Sequence, residues 1–238
     1  VAVGEDRAYA IPHILNDHPD TDVLLMDDAF QHRRIKPNLE ILVTDYTRLF
    51  YKDFILPAGL LRESRHGARR ADVVVVTKCP EEISLDERGE ITGNIRKYSG
   101  PEKPVFFSFI DYDDPKADGF KNRTIGEKII LVTGIANPEP LVKHLQSGYH
   151  VIKHFSFPDH HFFSKKDIDS MIRYYDLHGD KNVSFLFTEK DFMRLKGSGN
   201  EDKLTGYPVF FQPITYKFVA HGEEFDSMII DSTGEFIN

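Results

Sequence analysis

Short apolar runs alternate with helix-prone stretches along nearly all of the 238-residue chain, and that alternation leaves few folds open. Strand, helix and strand in succession is the pattern of a parallel or mostly parallel sheet wrapped by helices. Residues 23–26, 40–44, 73–76 and 105–109 read as strands, and residues 7–16, 62–71 and 85–98 as helical stretches. Pro12 falls in the first helical stretch and limits the regularity of its early turns. Residues 1–3 also look like a strand. The stretch 111–123 is charged, carries Pro115 and Gly119 and lacks periodicity, so it reads as a linker. Beyond it the alternation restarts, with strands at 128–133, 149–155 and 184–187 and helices at 138–146, 165–177 and 190–196. Strand character is also expected at 214–218 and 225–230, around a His-Gly-Glu-Glu turn.

These readings predict an α/β protein. Residues 1–110 form a core domain with a mostly parallel sheet and helices on both faces, and residues 111–126 a linker. Residues 127–212 form a second, smaller α/β unit, and the strands of 213–238 return to the first domain or pair locally. A chain of this length holds one large or two modest domains with proper cores. A formal charge of −8 and a pI near 5.8 argue against a nucleic-acid partner, which would want a basic face. The single cysteine, Cys79, rules out an internal disulfide framework and fits a reducing compartment. No apolar run approaches the roughly 18 residues needed to span a bilayer, so membrane attachment through these residues would be peripheral. The one cationic cluster, Arg33, Arg34 and Lys36 with the basic stretch 62–70, is either a solvated face or a surface for lipid phosphates.

Asp27 and Asp28 follow the apolar run 23–26. At the carboxyl end of a buried parallel strand they would bring two hard oxygen ligands to the crevice where α/β sheets bind substrates. That placement suits Mg²⁺ and a phosphorylated ligand, as after the metal-binding strand of P-loop NTPases; the alternative is a solvated turn. Arg62 offers a planar fork for phosphate oxygens, and Glu63 a carboxylate for the same metal or its water. An exposed Arg-Glu pair at a helix start is the plainer reading of those two. Gln31, His32 and Arg33 form a polar cluster just after the acidic pair, suited to phosphate oxygens or to orienting a water. Arg7 sits at an expected strand-to-helix turn, where anions commonly bind. Asp159, His160 and His161 suit proton transfer, since a carboxylate orients an imidazole; as transition-metal ligands they lack a second cluster. Thr188 reads as a helix N-cap with Asp191 at the third helical position, leaving Lys190 available to a nucleotide. Thr77 and Lys78 end a strand and read as a turn or as part of a cleft lining.

Seven pieces fall in order along the chain: GEDR at 4–7, DDAFQHR at 27–33, LPAGLLRE at 56–63, ADVVVVTK at 71–78, TGIANP at 133–138, FPDHH at 157–161 and TEKD at 188–191. Together they make the chain resemble the tetraacyldisaccharide 4′-kinases, the lipid A 4′-kinases of Gram-negative bacteria. The resemblance implies a P-loop-kinase-like fold, ATP and Mg²⁺ as cofactors, and phosphorylation of the 4′-hydroxyl of a tetraacylated glucosamine disaccharide 1-phosphate. It implies work at the cytoplasmic face of the inner membrane, as a peripheral protein. It places Asp27, Asp28 and Glu63 at the metal, Arg7, Gln31 and His32 in the cofactor-binding group, and His160, Asp28 and Arg62 in catalysis. His160 would partner an Asp of the family's amino-terminal half in activating the 4′-hydroxyl.

Two departures qualify it. No G-x-x-x-x-G-K-[ST] phosphate cradle occurs in these residues, although the family carries one upstream of its GEDR-like piece. The chain begins at Val1 and is therefore expected to be the carboxyl-terminal portion of a longer kinase, inactive by itself. Ala29 stands where many members have Gly, which restricts the backbone only if φ is positive there. Two other readings stay open: a metal-dependent phosphohydrolase using Asp27, Asp28 and His160, and a non-catalytic nucleotide-binding module.

Overall fold

The computed structural model describes residues 1–117 and 124–234, and the chain divides into two compact units, Val1–Ile110 with Tyr216–Asn238, and Asp111–Thr215. The first unit carries helix α1 (Arg7–Asp17), strands β1 (Ile41–Asp45) and β2 (Val73–Thr77), helix α2 (Leu85–Ser99) and strand β3 (Val105–Tyr112). Its sheet has the order β1-β2-β3-β9, where β9 is Ile214–Phe218, and the β1–β2 and β2–β3 pairs are parallel. Helix α6 (Gly222–Gly234) follows.

The valines of β2 explain why this strand is central. Val74 and Val76 face a core with Ala71, Ile91, Ile95 and Phe107, while Val73 and Val75 face another with Phe106, Phe218, Phe225 and Met228. Alternate residues thus enter opposite cores, and α2 covers one face and α6 the other. Each such valine stabilises the fold by roughly 1.5–3 kcal/mol through apolar burial.

The second unit holds β4 (Lys116–Ala117), β5 (Lys128–Thr133), α3 (Glu139–Leu145), β6 (His150–Ser156), α4 (Lys165–His178), β7 (Val183–Thr188), α5 (Glu189–Lys196) and β8 (Val209–Gln212). The sheet order is β4-β8-β7-β5-β6, parallel except for the short edge strand β4. Ile130 and Val132 of β5 meet α4 and α5 through Ile168, Met171, Phe192 and Leu195. Ile129 and Leu131 meet α3 through Leu141 and Leu145. A capping box starts α4: the Ser164 hydroxyl accepts from the Asp167 amide, and the Asp167 carboxylate accepts from the Ser164 amide. Among the described residues no helix is long and apolar enough to cross a membrane.

Several expectations require correction. Residues 1–3 and 23–26 are not strands; Leu25 is 93 % exposed and Val3 98 %. An extended apolar run becomes a strand only beside a partner for its backbone groups, and no described strand lies beside either segment. Residues 62–71 yield only a 3₁₀ segment, Arg65–Arg70. Residues 225–230 belong to α6 rather than to a strand, because Phe225 and Met228, three apart, share a helical face on the sheet. Strand β8 adds a strand that the sequence reading lacks, and residues 116 and 117 of the expected linker pair with it. Residues 118–123 of that linker lie outside the described residues.

Candidate active site

In the first unit the LPAGLLRE loop is built on two carboxylates. Asp53 is ion-paired with Arg48 at 2.9 Å and accepts from the amides of Phe54 and Leu60. Arg48 first, with those amides, holds Asp53 below the usual carboxylate range against a desolvation penalty. Arg65 donates twice to the Asp53 carbonyl.

Glu63 is the second hub. Arg70 donates to both of its oxygens, at 2.7 and 3.0 Å, Arg33 adds a contact of 3.0 Å, and Gln31 one of 3.4 Å. Hydrogen bonding from Arg70, outweighing burial and helped by Arg33, keeps Glu63 below its ordinary range. Arg70 in turn lies 4.5 Å over the Phe30 ring and donates to the Phe30 carbonyl. A Cβ on Gly67 would come within 2.7 Å of the Glu63 carboxyl group, so a side chain there would push that carboxylate off its present place between the guanidinium groups. Beside it Arg62 pairs with Asp28 at 2.7 Å. The DDAFQHR and LPAGLLRE pieces are thus joined through side chains.

Asp27 and Asp28 are exposed, His32 is half-buried, and its amide donates to the Ala29 carbonyl in a turn. The positive φ in this turn belongs to Asp28, at +48°, and not to Ala29, so the Ala methyl carries no backbone penalty. Arg7 opens α1 behind the N-cap Asp6, and its guanidinium is held by the Gly4 carbonyl. The expected metal set does not assemble: among the described residues no three His, Cys, Asp or Glu side chains are grouped to hold a metal. Both Glu63 oxygens are taken by guanidinium groups. Asp27 and Asp28 still fit Mg²⁺, which needs only one or two protein carboxylates when phosphates complete its shell. At the ends of β1 and β2, Lys78 Nζ reaches Asp45 Oδ2 at 2.6 Å.

In the second unit TGIANP, FPDHH and TEKD follow the carboxyl ends of β5, β6 and β7, three neighbouring parallel strands. That edge is where α/β sheets place ligands. Asp191, fully buried, ties the pieces together. It accepts from the Gly134 amide at 2.7 Å, the Thr188 hydroxyl at 2.6 Å and Arg194 Nη1 at 3.0 Å. A Cβ on Gly134 would come within 2.9 Å of Asp191. Thr188 is also the N-cap of α5, as the TEKD spacing suggests.

Arg194 Nη2 lies 3.0 Å from His160 Nδ1. The His160 amide donates to Asp159, whose other oxygen is 3.6 Å from His160 Nε2, and Lys190 is 3.6 Å from Asp159. Desolvation pushes Asp159 up, but the His160 amide and Lys190 bring it below the usual carboxylate range. His161 faces elsewhere: it pairs with Asp167 of the α4 cap at 3.0 Å and stacks on Phe157. Sequence reasoning missed Arg194, Arg70 and Asp53. The available signals were the i, i+3 acid–base spacing from Asp191 to Arg194 and the Glu63 to Arg70 separation across a basic turn.

Parallel-dominated sheets covered by helices, with polar motif residues at the strands' carboxyl ends, give the chain an α/β fold of the P-loop-kinase-like kind. Its residues 1–233 match the model of the family described as LpxK, Tetraacyldisaccharide-1-P 4'-kinase, and the chain belongs to that family. A Tetraacyldisaccharide 4'-kinase of Flavobacterium psychrophilum is 40 % identical over 235 residues, covering 97 % of this chain and 65 % of that protein. One of Cytophaga hutchinsonii is 42 % identical over 197 residues, covering 82 % and 54 %. A crystal structure of LpxK from Aquifex aeolicus, described as an "apo" form in complex with ATP, shares the fold with a TM-score of 0.64 at 24 % identity. It is matched over 97 % of this chain and 64 % of its own. The chain spans less than two thirds of the length of these relatives.

Proposed function

We propose that the protein is an ATP-dependent kinase that transfers the γ-phosphoryl group to the 4′-hydroxyl of a tetraacylated glucosamine disaccharide 1-phosphate, a step of lipid A biosynthesis. The family membership over residues 1–233 carries this reading. Phosphoryl transfer asks a protein mainly to position groups and neutralise charge, and the two residue clusters supply both kinds of group. Asp27 and Asp28 would hold Mg²⁺, which when bound offsets the phosphates' charge. Arg62, relayed from Asp28, and Arg7 are the guanidinium groups for phosphate oxygens, and Gln31 and His32 orient the phosphorylated ligand. Glu63 holds the Arg33 and Arg70 guanidinium groups in place instead of binding the metal. His160 takes part in activating the 4′-hydroxyl, at the end of the chain of contacts from Asp191. The glycolipid substrate sets the setting: the cytoplasmic face of the bacterial inner membrane, with peripheral attachment.

The test is phosphoryl transfer by the complete gene product, supplied with ATP, Mg²⁺ and the tetraacyl disaccharide 1-phosphate. A 4′-phosphorylated product that depends on ATP is expected; hydrolysis of a phosphorylated substrate without ATP would replace the kinase by a phosphohydrolase. Asp27→Asn keeps the side chain's shape and removes its charge, so turnover at limiting Mg²⁺ should fall by roughly 10²-fold or more, the range for losing a group that neutralises transition-state charge. Wild-type turnover in this variant would make Asp27 a turn residue only.

A further inference from the structure

We propose that Arg194 is a positioning residue that fixes His160 in one tautomer, the neutral ring with its proton on Nε2, and that buried Asp191 and Gly134 hold Arg194 in place to do so. The inference rests on the kinase reading for its consequence but not for its chemistry. A guanidinium group has only donors and keeps its proton. The 3.0 Å approach of Arg194 Nη2 to His160 Nδ1 therefore makes Nδ1 an acceptor, and a neutral imidazole that accepts at Nδ1 carries its hydrogen at Nε2. Nε2 faces an acceptor, Asp159 Oδ2, at 3.6 Å.

The guanidinium is itself over-determined. Its Nη1 donates to the Gly134 carbonyl at 3.1 Å and to Asp191 Oδ1 at 3.0 Å, and its side chain is only 15 % exposed. Asp191 is anchored from two other sides, by the Gly134 amide and the Thr188 hydroxyl. Nη2 is thereby left pointing at the ring. His160 needs such a holder because its side chain is 72 % exposed and would otherwise sample several rotamers. The groups around it are Arg194, Asp159 and, through Asp159, Lys190. In the kinase reading the ring therefore offers an N–H edge at Nε2 in a set orientation.

Two measurements test this. The first is long-range ¹H–¹⁵N correlation on the histidines of this chain, with His160 assigned by its loss in His160→Gln. The expected pattern is an unprotonated Nδ1 and a protonated Nε2 in the wild type, moving toward averaged nitrogen shifts in Arg194→Met, with Arg194→Lys in between. A proton on Nδ1 in the wild type would overturn the proposal whether or not any variant folds, and so would an unchanged pattern in a folded Arg194→Met. The second is steady-state kinetics on the complete gene product. Arg194→Met should lower kcat roughly tenfold or more, the scale of misplacing a group beside the chemistry, with KM little changed and part of the loss recovered by Arg194→Lys. An equal loss in Met and Lys variants, or a loss confined to KM, would count against positioning. If the wild type transfers no phosphoryl group, the kinase reading falls, while the nitrogen pattern still decides what Arg194 does.

Discussion

Glu63, expected at the metal, is in the structure the hub of a guanidinium cluster. Its carboxylate is committed to Arg70, Arg33 and Gln31, and the contacts with Arg33 and Gln31 were beyond sequence reading because those residues lie about thirty positions away. The folded carboxyl group sits below its ordinary value, so the stabilisation is complete at neutral pH and is lost as pH falls through the lowered folded value. Glu63→Gln should cost roughly 2 kcal/mol at pH 7, the scale of hydrogen bonds to charged groups. The gap in melting temperature between wild type and variant should close as pH is lowered below about 4, near and under the free glutamate range. A gap independent of pH would show that shape and not charge holds the hub. The two histidines of FPDHH separate in the same way. His160→Ala in the complete gene product should lower kcat by on the order of 10²-fold. His161→Ala should instead show in thermal stability, since its ring is stacked on Phe157 and paired into the α4 cap.

At the scale of elements, legibility followed burial. The central strands β2, β5 and β7 were apparent because Val73–Thr77, Lys128–Thr133 and Val183–Thr188 are nearly continuous apolar runs between helices, as strands buried on both faces must be. Ser84, Ser164 and Thr188 cap helices α2, α4 and α5, and of these the Thr188 cap was legible through its spacing to Asp191. Residues 225–230 misled because FDSMII fits either period, and only contact with Val73, Val75 and Phe106 selects the helix. The run at 23–26 misled for the opposite reason: its composition is that of a strand, but a strand also needs neighbours. Ser164→Ala should destabilise the second unit by about 1 kcal/mol, the usual value of an N-cap, measured by denaturant unfolding. No change would mean that the Asp167 carboxylate and its contact with His161 suffice to start α4.

For the whole molecule, the fold class was legible because it is a pattern repeated many times, whereas the site is a set of convergences. The order of the seven motif pieces could be read; that Asp191 and Arg194 gather three of them could not, since this depends on which strands become neighbours. Among the described residues four non-glycine residues have positive φ: Asp28, Lys78, His160 and His221. Three of them lie in the motif pieces, at places where a residue with a side chain costs about 1–2 kcal/mol relative to an unstrained backbone. His160→Gly should therefore melt higher than His160→Ala, although it removes more atoms, and the reverse order would show that the ring's contacts outweigh the backbone. A selection for heat resistance alone would then drift toward glycine at positions 28 and 160, yielding hardier variants stripped of the groups assigned to the chemistry. Laboratory evolution of this chain would need an activity gate at those two positions, because there durability and chemistry pull the sequence in opposite directions.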